Sequence, residues 1–173
     1  MGRRCPQGVA AGDRTAAVCC AVADWLTAAQ VTFFQGIPSF IAYVVAALEA
    51  SGRQLPTLEN VIIAGEVLPP GLCDRMRAVF PRARLHNMFG PTECALASRY
   101  EFTSGNPEHR CVPIGQPITG RRLLLLDGEG HPVPRGGVGE IGIVSRFLSS
   151  GYIGDETPRR ESSPRRRPPT HDR

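Results

Sequence analysis

Two neighbouring stretches, "NVIIAGEVLPP" (residues 60–70) and "ARLHNMFGPTE" (residues 83–93), decide how this chain folds. The first opens with Val61, Ile62, Ile63 and Ala64 in an unbroken apolar run, the pattern of a strand covered on both faces. The second, "ARLHNM", reads as another strand that delivers the chain to Phe89-Gly90-Pro91-Thr92-Glu93. Between them a helix starts near Pro69-Pro70, keeps Leu72, Met76 and Val79 on one face, and stops at Pro81. Strand, helix and strand in this order predict a parallel sheet covered by helices.

Working outward toward the N-terminus, Thr15 to Gln30 spaces Val18, Val22, Trp25 or Leu26, and Ala29 three or four apart, which predicts a first helix. "VTFFQ" (31–35) then reads as a buried strand. "GIPSF" turns the chain into a helix opened by Pro38, with Phe40 or Ile41, Val44 or Val45, and Leu48 facing inward and Gly52 as its stop. Past Asn106 the helical period disappears. "RRLLLLD" (121–127), the turn "GEGHPVPRGG" (128–137) and "VGEIGIV" (138–144) read as a long hairpin. The expected fold class is therefore α/β: part of a parallel sheet flanked by helices, followed by a small β-rich subdomain, with disordered ends. Four segments follow: a disordered N-terminal segment at 1–14, a partial α/β subdomain at 15–106, a β-rich subdomain at 107–156, and a disordered Arg/Pro-rich tail at 157–173. The tail has no large apolar residue to bury.

Composition narrows the function. The chain has 173 residues, a formal charge of +4, and 19 Gly with 16 Pro, so turns are frequent. All 20 basic residues are Arg, which excludes any mechanism that needs a lysine of this chain. Six cysteines form no CxxC pair and have no histidine at metal spacing, so they read as small buried apolar residues in a reducing cytoplasm. No apolar run reaches signal-peptide or membrane-span length, and neither export nor a membrane partner is expected. Nucleic acid is not an expected partner either, because Pro and acids interrupt the basic tail and no aromatic is interleaved.

In parallel sheets, function collects beyond the carboxyl ends of the strands, here Gln35-Gly36, Gly65-Glu66 and Gly90 to Glu93. Gly-Pro-Thr-Glu offers backbone N–H groups, a hydroxyl and a carboxylate, a set that suits a phosphate and its divalent cation. Phe89 adds a face on which a planar base can stack. The tetrapeptide alone reads first as a hydrophilic turn whose Phe joins the core.

Its surroundings carry more. "NMFGPTE" (87–93) resembles the N-x-Y-G-P-T-E signature of the AMP-forming adenylating enzymes, the superfamily of acyl-CoA synthetases, luciferases and nonribosomal peptide synthetase adenylation domains. "IIAGEVLPPGL" (62–72) is similar to the family's G-G-E-x-L stretch, "VPIGQPI" (112–118) to its V-P-I-G-x-P link, and "GEIGIVSRFLSSGY" (139–152) to its G-E-L/I…G-Y motif. "VTFFQGIPSF" (31–40) looks like the strand–helix junction of the nonribosomal peptide branch, and the resemblance spans roughly residues 23–156.

The resemblance implies ATP or AMP and Mg²⁺ as cofactors. It implies a carboxylate or amino acid as substrate, activated on the α-phosphate and passed to a thiol, with a carrier protein as partner. Carried over residue by residue, Gly65 and Glu66 would line the adenine site, Asn87 and Phe89 would bracket the base, and Gly90 would complete the cofactor site. Thr92 would contact a phosphate and Glu93 would hold Mg²⁺, the two acting as the catalytic pair. Gln35, Ile62, Ala64, Met88, Leu96 and Ala97 would line the substrate pocket, although apolar residues at strand ends read equally as core. Two positions depart from the pattern: Phe89 stands for the usual Tyr, and Ala64 for one of a glycine pair.

The family also uses a Gly/Ser/Thr-rich phosphate loop ending in Lys, an Asp on the ribose, and a lid with a second Lys, and these are not found in the sequence. The expectation is a fragment that starts within the second half of the large domain and is inactive alone. Its tail, "PRRESSPRRRPPTHDR" (158–173), has the texture of a shifted reading frame. The alternatives are one half of a split adenylating enzyme that meets its missing half as a partner, or a non-enzymatic interaction module with a basic tail.

Overall fold

The computed structural model describes residues 14–102, 111–149 and 151. The disorder expected at the two ends falls outside these residues, except that Arg14 begins the first helix. In chain order the elements are α1 (Arg14–Ala28), β1 (Phe33–Gly36), α2 (Pro38–Ala50), β2 (Asn60–Ala64), α3 (Pro70–Val79), β3 (Arg84–Phe89), β4 (Ser98–Phe102), β5 (Gln116–Pro117), β6 (Arg121–Leu126) and β7 (Glu140–Ser145).

The first five strands form one sheet in the order β1-β2-β3-β4-β5, and β6-β7 form a separate antiparallel hairpin. β1, β2 and β3 run parallel, as the strand–helix alternation predicts. The sheet then continues into β4 and β5, which pair antiparallel and which the sequence reading left unassigned. β5 and Val112, which joins the main core, lie beyond the expected 106/107 division.

The register separates two faces. Val61, Ile63, Leu85 and Phe102 point into the core, where they meet Ile41, Val44, Val45 and Leu48 of α2 and Leu72 and Met76 of α3. Each fully buried Leu, Ile or Val there contributes about 2 kcal/mol through removal of apolar area from water. The opposite face carries Gln35, Ile62, Ala64 and Met88: Gln35 sits beside Ile62, and Ala64 beside Met88. Gln35 is exposed and the other three are half-buried, so β2 alternates rather than being covered on both faces.

Local chemistry sets the helix ends. Pro38 fixes the backbone at the start of α2. At its end Gly52, at φ +62°, donates to Glu49 O at 3.0 Å while Arg53 donates to Leu48 O at 2.9 Å, a Schellman closure.

Three expectations are corrected. In α1 Val18, expected on the apolar face, is 54% exposed, and of the two alternatives Leu26 is the inward residue at 1% exposed while Trp25 is 62% exposed, so the helix packs through Ala23 and Leu26. Phe33 is 52% exposed, because it lies on the same open sheet face as Gln35, and among the described residues β1 is an edge strand rather than a buried one. Of the cysteines, Cys73 and Cys94 are buried, but Cys111 is exposed and Cys20 is disulfide-bonded. Burial, helped by Asp74, pushes the Cys73 thiol up to about 11, so it stays protonated and inert.

Candidate functional site

The ends of β2 and β3, with the loops that follow them, build the site. After β2 the chain turns through Gly65 and Glu66 into α3, and after β3 it turns through Gly90. Between these turns lies a cavity of about 450 Å³, walled by Gly65, Glu66, Asn87, Met88, Phe89 and Gly90. Its far wall is the 111–114 segment, with Cys111, Val112 and Ile114. Asn87 holds that wall in place: its Nδ2 donates to Pro113 O at 2.8 Å and Val112 O at 3.3 Å. Val112 N–H donates to Leu68 O at 3.1 Å and fixes the other side.

Glu66 does more than line this cavity. Its carboxylate accepts from the Ser39 N–H at 3.0 Å and the Ser39 hydroxyl at 2.9 Å, so it caps the N-terminus of α2 across the sheet edge. The residue at the helix start, Ile37, has no side chain able to do this.

Gly90 is required by packing. A Cβ there would lie 2.2 Å from Ala95 O and 2.8 Å from Ala97 N, because the 90–97 loop folds back on β3 and Ala97 N–H donates to Phe89 O at 2.7 Å. That fold-back carries Thr92 and Glu93 away from the first cavity. They line a second one, of about 540 Å³, with Cys94, Ala95, Arg121, Phe147, Leu148 and Ser149. The loop is anchored to the hairpin side by Ser149 N–H donating to Glu93 O at 2.7 Å and by Arg121 Nη2 donating to Cys94 O at 3.1 Å.

The residues of the expected nucleotide site thus divide. Gly65, Glu66, Asn87, Phe89 and Gly90 share one cavity, while Thr92 and Glu93 share the next, with Pro91 the last residue of the first wall. Of the expected substrate-pocket residues, Gln35, Ile62, Ala64 and Met88 lie on one sheet face. Ala97 is fully buried and Leu96 half-buried in the returning loop. Among the described residues no group of three or more His, Cys, Asp or Glu is placed to hold a metal by itself. Sequence reasoning passed over Arg121 and Cys111, whose only signal was proximity to recognised motifs.

The same face as Ile62 holds a polar cluster the sequence did not announce. His86, 6% exposed, sits with Nε2 3.3 Å from Asn60 Oδ1 and Nδ1 3.8 Å from Glu101 Oε2. Arg84 makes two hydrogen bonds to Glu101, at 2.8 and 2.9 Å. Burial holds the His86 pKa below its usual value; Glu101 opposes that shift while Arg99 and Arg84 add to it.

Comparison with known proteins adds to this geometry. The model of the family described as "AMP-binding enzyme" matches residues 6–153. The chain is 41% identical over 99 residues to phosphinothricin tripeptide synthetase PhsB of Streptomyces viridochromogenes, covering 57% of this chain and 8% of that protein. It is 35% identical over 130 residues to enterobactin synthase component F of Escherichia coli K12, covering 72% of this chain and 10% of that protein. It therefore spans about a tenth of the length of these relatives. Among solved structures, the AMPPNP-bound nonribosomal peptide synthetase FmoA3 (S1046A) superposes with a TM-score of 0.74 at 28% identity, over 80% of this chain and 15% of that one. IdnL1 superposes with a TM-score of 0.70 at 29% identity, over 81% of this chain and 29% of that one.

Proposed function

From the premise that this chain belongs to the AMP-binding enzyme family, we propose that it carries part of the nucleotide and substrate sites of a carboxylate-activating, AMP-forming unit of nonribosomal peptide synthetase type. The observation that carries this reading is the 450 Å³ cavity, which gathers five of the six residues assigned to the nucleotide from the sequence, all but Thr92. The cavity suits a planar base: Phe89 offers an aromatic face, and the backbone at Gly65 and Glu66 offers polar edges. Asn87 spends its amide on Val112 and Pro113, so its part is to set the cavity width.

Thr92 and Glu93, which follow directly on Pro91, are where phosphates leaving that cavity would arrive. A magnesium ion is bound by one or two carboxylates and completed by substrate phosphates, so a single acid at this loop fits it. Mg²⁺, when bound, would neutralise phosphate charge. Glu93 would orient it, and the Thr92 hydroxyl would donate to a phosphate oxygen. The Gln35, Ile62, Ala64, Met88 face would receive an amino acid or an aryl or acyl carboxylate whose side chain is mainly apolar, and Leu96 and Ala97 are assigned to the same pocket by the family resemblance alone. A carrier-protein thiol is the proposed acceptor, and the cytoplasm the proposed compartment.

Acting alone the chain should bind without turning over, because it holds no lysine for charge stabilisation at the reacting phosphate. Calorimetric titration with a non-hydrolysable aminoacyl-adenylate analogue tests the reading. Saturable binding that weakens in Phe89→Ala supports it, and a folded chain with no affinity for AMP or the analogue removes it.

A further inference from the structure

A groove of about 530 Å³ lies at the open end of the β6-β7 hairpin, lined by Gly120, Arg121, Arg122, Val144, Ser145 and Arg146. Three guanidinium groups line it and, among the described residues, no carboxylate does. Elsewhere Arg53, Arg75 and Arg84 are each paired, with Asp24, Glu49 and Glu101. Among the described residues, Arg121, Arg122 and Arg146 have no ion-pair partner. Three like charges around one groove repel one another, and an anion removes that cost.

The guanidinium groups are also held in position. Arg121 lies 5.5 Å and Arg146 4.7 Å from the centroid of the Phe147 ring, so one aromatic side chain braces both. Arg121 is fixed further by its hydrogen bond to Cys94 O, yet its buried Nε has no hydrogen-bond partner among the described residues. A buried donor left unmade calls for a ligand or another explanation. Ser145 Oγ accepts from the Phe147 N–H at 3.0 Å, which leaves its own proton to donate. Register places Ser145 beside Arg121, and Val144 beside Arg122, so the polar groups converge on one end of the hairpin.

We infer that this groove is a binding site for a small phosphate-type polyanion, a diphosphate in preference to a monophosphate. Planar guanidinium forks match phosphate oxygens in pairs, and three of them suit a ligand with several oxygens to share. The groove is confined to one end of a single hairpin, a footprint that matches a small anion rather than an extended strand. The inference does not depend on the nucleotide reading, since only Arg121 borders both this groove and the Thr92–Glu93 cavity.

The test is titration of inorganic pyrophosphate, with inorganic phosphate in parallel, into the full chain at low salt. Pyrophosphate should bind more tightly than phosphate, and the double variant Arg122→Gln/Arg146→Gln should weaken it at least about 10-fold, as expected for charge-assisted hydrogen bonds. Arg135→Gln removes a single charge from the exposed turn between β6 and β7 and should change affinity less than about 2-fold, with adenosine binding unaltered in all variants. In the unsubstituted chain the Arg121 Nε–H NMR resonance should shift on adding pyrophosphate, a readout that needs no variant to fold. No binding, an equal loss in Arg135→Gln, or an unmoved Arg121 resonance would each overturn the site.

Discussion

The Glu66 carboxylate holds Ser39 at two atoms, its backbone N–H at 3.0 Å and its hydroxyl at 2.9 Å, and so ties the turn after β2 to the start of α2. A wall residue of the first cavity is thereby a helix cap supplied from 27 residues away in sequence. Glu66→Ala should cost about 1 kcal/mol, the usual effect of losing an N-terminal cap, and lower the melting temperature by roughly 4 °C. Ser39→Ala should show only part of that loss, because the N–H contact is kept. Thermal denaturation followed by circular dichroism measures both; a Glu66→Ala variant as stable as the parent would mean that the cap contributes nothing.

His86 predicts how stability depends on pH. Burial holds its folded pKa below the ordinary 6.5, while the unfolded chain titrates near that value. The unfolded state therefore takes the proton first on acidification. Stability is intact above pH 6.5 and falls as pH drops from there to the depressed folded value. Glu101, held low chiefly by its hydrogen bonds from Arg84, adds a second loss only below its ordinary 4.5. Urea midpoints from pH 8 to 5 should decline in the parent chain. In His86→Gln the slope just below 6.5 should shrink, and an identical slope in both proteins would rule out His86 as its source.

Much of the fold could be read from the sequence, and the exceptions have physical causes. α2 was legible because Pro38 and Gly52 punctuate it and Ile41, Val44, Val45 and Leu48 keep a helical period between them. The inner face of α1 was ambiguous because adjacent Trp25 and Leu26 sit about 100° apart on a helix and only packing chooses between them. β4 has little signal of its own, since "SRYEF" is five residues long with charged Arg99 and Glu101 in it, and its pairing with β3 is what makes it a strand. For the candidate site, which residues border which cavity depends on the 90–97 loop reversal, and nothing in the local pattern announces the positive φ of Ala95 (57°) that completes it.

That reversal can be tested at Gly90. Ala95 O, Leu96 Cα and Ala97 N all lie within 2.8 Å of where a Cβ would stand, and all are backbone atoms without a rotamer to yield. Gly90→Ala should destabilise the chain by about 1–3 kcal/mol, the usual range for overpacking, and weaken nucleotide binding by displacing the wall next to Phe89. Denaturant unfolding measures the first effect and AMP titration the second. A variant with full stability would mean that the loop does not approach β3 so closely.

Phe89 separates stacking from simple core packing. If its ring stacks on the base, Phe89→Ala should weaken AMP binding by roughly 10-fold or more, in line with about 1–3 kcal/mol per base–aromatic stack, whereas Phe89→Tyr should retain it. Binding of pyrophosphate, which has no base, should be unchanged in both variants. Equal AMP affinity in the Ala variant would return Phe89 to a purely structural role.

The last prediction concerns turnover. Joining a carboxylate to the α-phosphate develops negative charge on the phosphate oxygens and on departing pyrophosphate, and relatives of this family are expected to meet it with lysine. Every basic residue of this chain is an arginine, and Arg121 is the one arginine among the described residues that lines the Thr92–Glu93 cavity. Losing one charge-stabilising donor typically costs about 10²–10³ in rate, and losing several compounds the deficit. The purified chain should therefore show no carboxylate-dependent ATP–pyrophosphate exchange, tested against a panel of amino and aryl acids, while still binding AMP. Exchange above background that disappears in Glu93→Ala would show instead that Glu93 and the arginines suffice, and would move the search for the reacting groups onto residues of this chain.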